Sequence, residues 1–222
     1  MSVPPRLSHV IPVTSLTEPL PIDTLFDPAR PLEVEIGCGK GRFLTARAAQ
    51  NPDVQYLGIE RMLSRVTRLD KKATRLKLDN LRILRLEAFY TFYYLLPAHR
   101  IRTVYVFFPA PWPKRHHHNR RLFSPLFIDA LWTRLEIGGT VQIATDHLDY
   151  FSTIRARLTA DSRFCEISAM ERAPHEQTEF EYIFRNQGLP IGQCAFQSLP
   201  APERPLPPLT IPPEMEPNEK NP

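Results

Sequence analysis

Glycine is scarce in this 222-residue chain, at 8 residues, and cysteine is scarcer, at 3. Cys38, Cys165 and Cys194 show no metal-ligand spacing, and an odd number does not make a disulfide framework. The simplest reading is a reducing, cytoplasmic compartment. No stretch approaches the ~20 apolar residues of a membrane span. The start, MSVPPRLSHVIPV, has no long apolar run after its charge and does not read as a secretory signal. No internal repeat is present. His116, His117 and His118 are adjacent, so their side chains diverge, and no second cluster of acids or thiolates lies at metal spacing; no metal is expected.

Proline is abundant, at 24 residues, and unevenly placed. It concentrates in residues 1–31 and 200–222, so the expected organisation is a proline-rich N-terminal extension (1–31), one domain (32–199) and a proline-rich disordered tail (200–222). With 42% hydrophobic and 23% charged residues the middle can support a packed core. The formal charge is +4 while both ends are net acidic, so the surplus of positive charge sits in the domain and favours a polyanionic partner.

That middle alternates between two periods. Strands are predicted at 32–36, 54–60, 81–86, 103–108 and 140–144, with two more near 164–170 and 191–197. Helices are predicted between them: one ending before Pro52, then 62–77, 89–96, one opening at Ser124-Pro125 and ending at Gly138-Gly139, and one around 150–158. An irregular segment is expected between the last two strands. The alternation predicts an α/β fold, a mainly parallel sheet with helices on both faces.

The chemistry-bearing residues fall at strand ends. Gly37, Gly39 and Gly41 form a G-x-G-x-G turn between the first strand and the first helix, where backbone N–H groups and a helix start meet a ligand closely. Glu35 precedes the turn. Glu60 ends the second strand, where a carboxylate can accept both hydroxyls of a ribose, and Glu87 follows the third and can accept from an adenine amino group. The spacing differs from that of dinucleotide sites and suits a nucleoside whose other end is an amino acid. Any one of these acids could simply cap a strand; three at successive strand ends are harder to dismiss. Arg61, Arg65, Arg68, Lys72 and Arg75 form one stripe on the 62–77 helix, either a solvated face or an RNA surface. Lys114, Arg115, Arg120 and Arg121 surround Trp112 and the histidines, mixing cations and rings as RNA surfaces do.

The loop Pro109-Ala110-Pro111-Trp112-Pro113-Lys114-Arg115-His116-His117-His118-Asn119-Arg120-Arg121 resembles the signature loop of bacterial tRNA (guanine-N7)-methyltransferases. So do E-I-G-C-G-K-G at 35–41, G-I-E at 58–60, A-T-D at 144–146 and T-E-F-E at 178–181. The resemblance implies a Rossmann-like class I methyltransferase with a seven-stranded, mostly parallel sheet. It implies methyl transfer from S-adenosyl-L-methionine to N7 of a guanine in the tRNA variable loop. It further implies that Glu35, Glu60 and Glu87 contact the donor, that Lys114 and Asp146 contact the RNA, and that Thr178, Glu179, Phe180 and Glu181 hold the target guanine. Three positions depart from the family: Glu87 replaces an aspartate, Glu179 stands where many members have lysine, and Ala110 stands at the supposed catalytic aspartate beside the donor. A non-catalytic tRNA-binding protein of the same fold is therefore the alternative, with Ala110 as its feature, and a small-molecule methyltransferase is disfavoured by the basic loop and helix. Monomer and homodimer are both open.

Overall fold

The computed structural model describes residues 9–16, 18–202 and 205–207. Its elements run α1 (Ile22–Leu25), β1 (Leu32–Ile36), α2 (Arg42–Gln50), β2 (Gln55–Ile59), α3 (Leu63–Arg75) and β3 (Leu81–Leu84). Then come α4 (Ala88–Tyr90), β4 (Ile101–Phe107), α5 (Pro125–Arg134), β5 (Leu135–Thr145), α6 (Leu148–Thr159), β6 (Phe164–Ile167), α7 (Glu179–Asn186) and β7 (Gly192–Ser198). The seven strands form one sheet in the order β3-β2-β1-β4-β5-β7-β6. The first five pair in parallel, while β7 is antiparallel to both β5 and β6.

Strand alternation sorts the core onto two faces. Leu32, Val34 and Ile36 of β1, with Leu57 and Ile59 of β2, pack into the larger cluster beneath α5 and α6. Tyr56, Leu81 and Ile83 look the other way, against Leu44 and Ala48 of α2 and Val66, Leu69 and Ala73 of α3. Glu33 and Glu35 share that second face, so β1 carries carboxyls into the interior on the side where α2 lies. The strand order reverses between β1 and β4, which leaves a crevice at the carboxyl ends of those two strands.

The predicted elements are present, with four differences. The expected 89–96 helix is only α4 followed by a wider π-turn over Thr91–Leu95. Arg134 explains the widening: its guanidinium donates to the carbonyls of Phe92 and Tyr93 at 2.7 Å each, and Leu96 N–H reaches back to Thr91 O. Gly138-Gly139 does not end a helix: α5 stops at Arg134, and the glycines lie inside β5 where its pairing with β4 slips between Ile101 and Thr103. The segment between β6 and β7, expected to be irregular, contains α7.

The fourth difference is at the ends. Val10 bridges Ile83 in parallel, and Ile11, Leu20, Ile22 and Phe26 are buried, so the packed body reaches upstream of residue 32 to at least His9. Proline blocks regular structure in this head but not burial of the apolar side chains between. At the other end Trp132 Nε1 donates to Leu199 O at 3.0 Å, Leu206 packs on the main core, and Tyr93 OH donates to Pro207 O. The rest of the expected disordered tail, and residues 1–8, lie outside the described residues.

Candidate active site and nucleic-acid interface

The glycine turn leaves β1 at the crevice. Gly37, Gly39 and Gly41 all have positive φ, at 72°, 56° and 72°. A Cβ on Gly41 would also come within 2.2 Å of Leu69 Cδ1, so glycine is required there twice over: for the left-handed cap of α2 and for the approach of α3. At Gly39 only Gly37 O lies near a hypothetical Cβ, at 3.9 Å, so the turn presents open space there.

Three carboxyls occupy the strand ends, in different states. Glu35 is 3% exposed, and its Oε2 has no hydrogen-bond partner. Burial, then the neighbouring Glu60 charge, push its pKa up to about 8, against a smaller opposing pull from Lys72. Glu60 braces the turn: its Oε2 accepts from Gly39 N at 3.1 Å and lies 3.5 Å from Arg65, while Oε1 accepts from Met62 N at 2.9 Å. Glu87 is exposed and caps α4, accepting from Phe89 N at 3.0 Å and Tyr90 N at 2.8 Å. An unpartnered buried oxygen beside an open turn of backbone N–H groups fits a ligand that brings a cationic donor, and the ammonium end of S-adenosyl-L-methionine is one. Cys38, inside the turn, is buried among these acids and its thiol pKa is pushed up, which makes it a filler and not a nucleophile.

Ala110 and Asp146 lie beyond the carboxyl ends of the adjacent strands β4 and β5, and both are exposed. The chain leaves β4 through Phe108 at φ 55° and passes Trp112 at φ 42°. Left-handed backbone at two bulky residues is costly and marks this loop as a held conformation. Part of the hold comes from expected RNA contacts. Arg121 donates to Pro111 O at 2.8 Å and lies over the Tyr150 ring at 4.7 Å, so it braces the loop from within. Arg120 sits 5.2 Å over Trp112, while Lys114 and Arg115 remain exposed.

The 178–181 motif opens α7. Thr178 is the N-cap, its hydroxyl accepting from Glu181 N at 3.1 Å. Glu181 is fully buried and gripped by Arg172 through contacts of 2.6 and 3.0 Å, with Arg185 at 2.9 Å. It therefore anchors α7 to the preceding segment. Phe180 is 48% exposed and stacks on Phe184 at 6.0 Å, with Phe108 alongside. Glu179 pairs with Lys40 of the glycine turn at 3.1 Å. Nothing in the sequence marks Arg172, since a lone arginine in a polar stretch carries no periodic signal.

The α3 stripe divides. Arg65 turns to Glu60, whereas Arg68 and Lys72, joined by Lys71 and Arg75, line a groove of about 540 Å³ with Lys40 and Arg42. Asp70, the one acid that interrupts the stripe in the sequence, is buried and accepts from His9 N at 2.8 Å, so the outer face is left cationic. Among the described residues no group of His, Cys, Asp and Glu could hold a metal ion, and no helix is long and apolar enough to cross a membrane.

Residues 29–194 match the protein family described as "Putative methyltransferase". The chain is 40% identical over 166 residues to a tRNA (guanine-N(7)-)-methyltransferase of Halorhodospira halophila, covering 72% of this chain and 71% of that one. It is 33% identical over 182 residues to the protein of that name in Nitrosomonas europaea, covering 82% and 80%. Among solved structures the 16S rRNA methyltransferase KamB superposes with a TM-score of 0.62 at 15% identity, over 81% of this chain and 93% of that one, which shows a shared fold. With a family match over residues 29–194 and relatives aligned across most of both lengths, this chain belongs to the tRNA (guanine-N(7)-)-methyltransferase family.

Proposed function

We propose that this protein transfers a methyl group from S-adenosyl-L-methionine to N7 of a guanine in the variable loop of tRNA. The observation that carries the reading is a juxtaposition: the buried, unpartnered Glu35 oxygen and the glycine turn adjoin a groove lined by six cations. A donor with a cationic amino-acid end and a polyanionic acceptor are thereby provided for at one edge of the sheet.

When bound, the donor supplies an activated methyl on a sulfonium, and its transfer leaves the guanine ring cationic. Guanine N7 carries a lone pair and no proton, so the chain needs no general base; it needs alignment and exclusion of water. Glu35 accepts from the donor's ammonium, the turn's backbone holds it closely, and Glu60 and Glu87 take the ribose and adenine with the lone pairs that their present partners leave. Asp146, past the end of the adjacent strand, is an exposed carboxylate on the same edge of the sheet as Ala110. Lys114 and Arg115 on one side, and Arg68 and Lys72 on the other, meet phosphates.

Incubation with labelled donor and bulk tRNA, followed by mapping of the modified base, tests this. Label at N7 of a variable-loop guanine is expected; label elsewhere refutes the position. Ala110 favours a second reading, tRNA binding without turnover, and predicts tight tRNA binding with no label in the same experiment.

A further inference from the structure

The cationic groove contains one carboxylate. Lys40 and Arg42 come from the glycine turn and the first turn of α2, Arg68, Lys71, Lys72 and Arg75 from α3, and Glu179 from the first turn of α7. Arg42 is spent on Pro174 O at 2.9 Å and the Tyr182 ring at 4.4 Å. Lys72 reaches Gly41 O at 3.5 Å. Neither contact supplies negative charge, and Arg68, Lys71 and Arg75 have no acidic partner among the described residues. Burial, then the nearby Arg42 and Arg75, hold the Lys72 ammonium below its ordinary pKa against the opposing pull of Glu179 and Glu35.

Glu179 is the exception. Its carboxylate lies 3.1 Å from Lys40, with both side chains 44% exposed. A pair this wet adds little stability. What it does is put the groove's one carboxylate among six cations. Resting on the tRNA reading above, we propose that the Glu179 carboxylate is a stand-in for an RNA backbone phosphate: it holds Lys40 until the backbone enters the groove, displaces it and takes its place. Displacement needs only a rotamer change of an exposed side chain, because Thr178 and Glu181 hold the start of α7 independently of Lys40. The contact makes the groove less attractive to polyanions in general and gives it up to one that also engages the neighbouring cations.

Competition at Lys40 gives the test. In the natural protein a phosphate must displace Glu179 from Lys40; in Glu179→Gln Lys40 is free. Filter binding or fluorescence anisotropy with bulk tRNA should show binding about three- to tenfold tighter near 0.1 M salt, and a salt series should show nearly the same log–log slope, because Lys40 neutralises one phosphate in both complexes. Glu179→Lys should tighten binding further. Affinity for S-adenosylhomocysteine and the melting temperature should not move, which guards against a folding artefact. Equal tRNA affinity in natural and Gln proteins overturns the proposal, as does weaker binding by the Gln variant, which would make Glu179 a positive contact, or a slope steeper by about one in that variant, which would mean that Glu179 keeps Lys40 from the phosphate without being displaced. Running poly(U) in parallel separates the two readings. If Glu179→Gln tightens poly(U) but the natural protein has no preference for tRNA, the phosphate stand-in survives and the tRNA reading falls. If tRNA is preferred and the variant changes nothing, the reverse holds.

Discussion

On the proposed assignment, Glu35 couples donor binding to pH. In the free protein its carboxyl is buried with one oxygen unpartnered and has a pKa of about 8, so at neutral pH it is mostly protonated. A cationic ammonium beside that oxygen requires the ionised form. The apparent dissociation constant then carries a factor of one plus ten to the power of pKa minus pH, a penalty of about tenfold at pH 7 and about a hundredfold at pH 6. Affinity should rise with pH from 6 toward 8 with a slope approaching one log unit per pH unit, then flatten; above about pH 8 the ligand's own amino group begins to titrate. Calorimetry with S-adenosylhomocysteine, in two buffers of different ionisation enthalpy, should count close to one proton released per ligand at pH 6.5. Glu35→Gln should bind more weakly at pH 8 and lose both the slope and the proton. The sign for stability is opposite. The folded protein holds the Glu35 proton more tightly than the unfolded chain does, so free-protein stability falls as pH rises from the ordinary carboxylate value through about 8, and Glu35→Gln removes that fall. Affinity independent of pH between 6 and 8, with no proton exchange, would refute the assignment of Glu35 to the donor's ammonium.

Three other outcomes are expected. Ala110→Asp should raise the single-turnover rate with saturating donor by about ten- to a hundredfold, about 1–3 kcal/mol of stabilisation for charge developing on the guanine; a brisk natural enzyme slowed by the substitution would move attention to Asp146. Arg172→Met should destabilise the fold by about 2–4 kcal/mol in urea titrations, because it strips the bidentate partner from fully buried Glu181 and leaves only Arg185; the double variant Arg172→Met, Glu181→Leu should recover much of that, and an equal loss in both would show that packing, not charge, is at stake. Truncation after Pro202 should lower the melting temperature by about 2–6 °C, since Leu206 loses its seat on the core and Tyr93 its acceptor; an unchanged value would mean that the tail's contacts contribute nothing.

The parallel half of the fold was legible because its rules are local. The alternating segment 32–36 and the continuous apolar run 103–108 become strands buried along nearly their whole length, and Ser124-Pro125 caps α5 as that pair does, the serine accepting from Phe127 N. What escaped was set by tertiary partners. The π-turn needs Arg134, which is about forty residues away in sequence. The head packs because Asp70 and the edge of β3 offer His9 and Val10 a place, and proline content says nothing about that. The α7 helix is short and polar at its start, and its hold comes from the buried Arg172–Glu181 pair, not from an apolar stripe long enough to read.

The same distinction governs the site. The acids at the ends of β1, β2 and β3 were legible as a set because parallel strands bring successive carboxyl ends to one edge. Their separate duties were not, since nothing in three glutamates says which will meet backbone donors. The structure divides them: Glu60 and Glu87 spend their charge on N–H groups of the chain, and Glu35 keeps an oxygen in reserve. The arginine stripe divides likewise, because helical spacing puts Arg65 and Arg68 on one face but cannot say that Arg65 lies within reach of Glu60. Removing Arg65 from the stripe and joining Lys40, Arg42 and Lys71 to Arg68, Lys72 and Arg75 moves the candidate RNA surface toward the glycine turn. On the proposed reading the polyanion site and the donor site share a wall, Lys40 to Arg42, and a backbone phosphate seated there would lie beside the turn proposed to receive the donor. Binding of either ligand is then expected to tighten the other, through order imposed on one glycine turn.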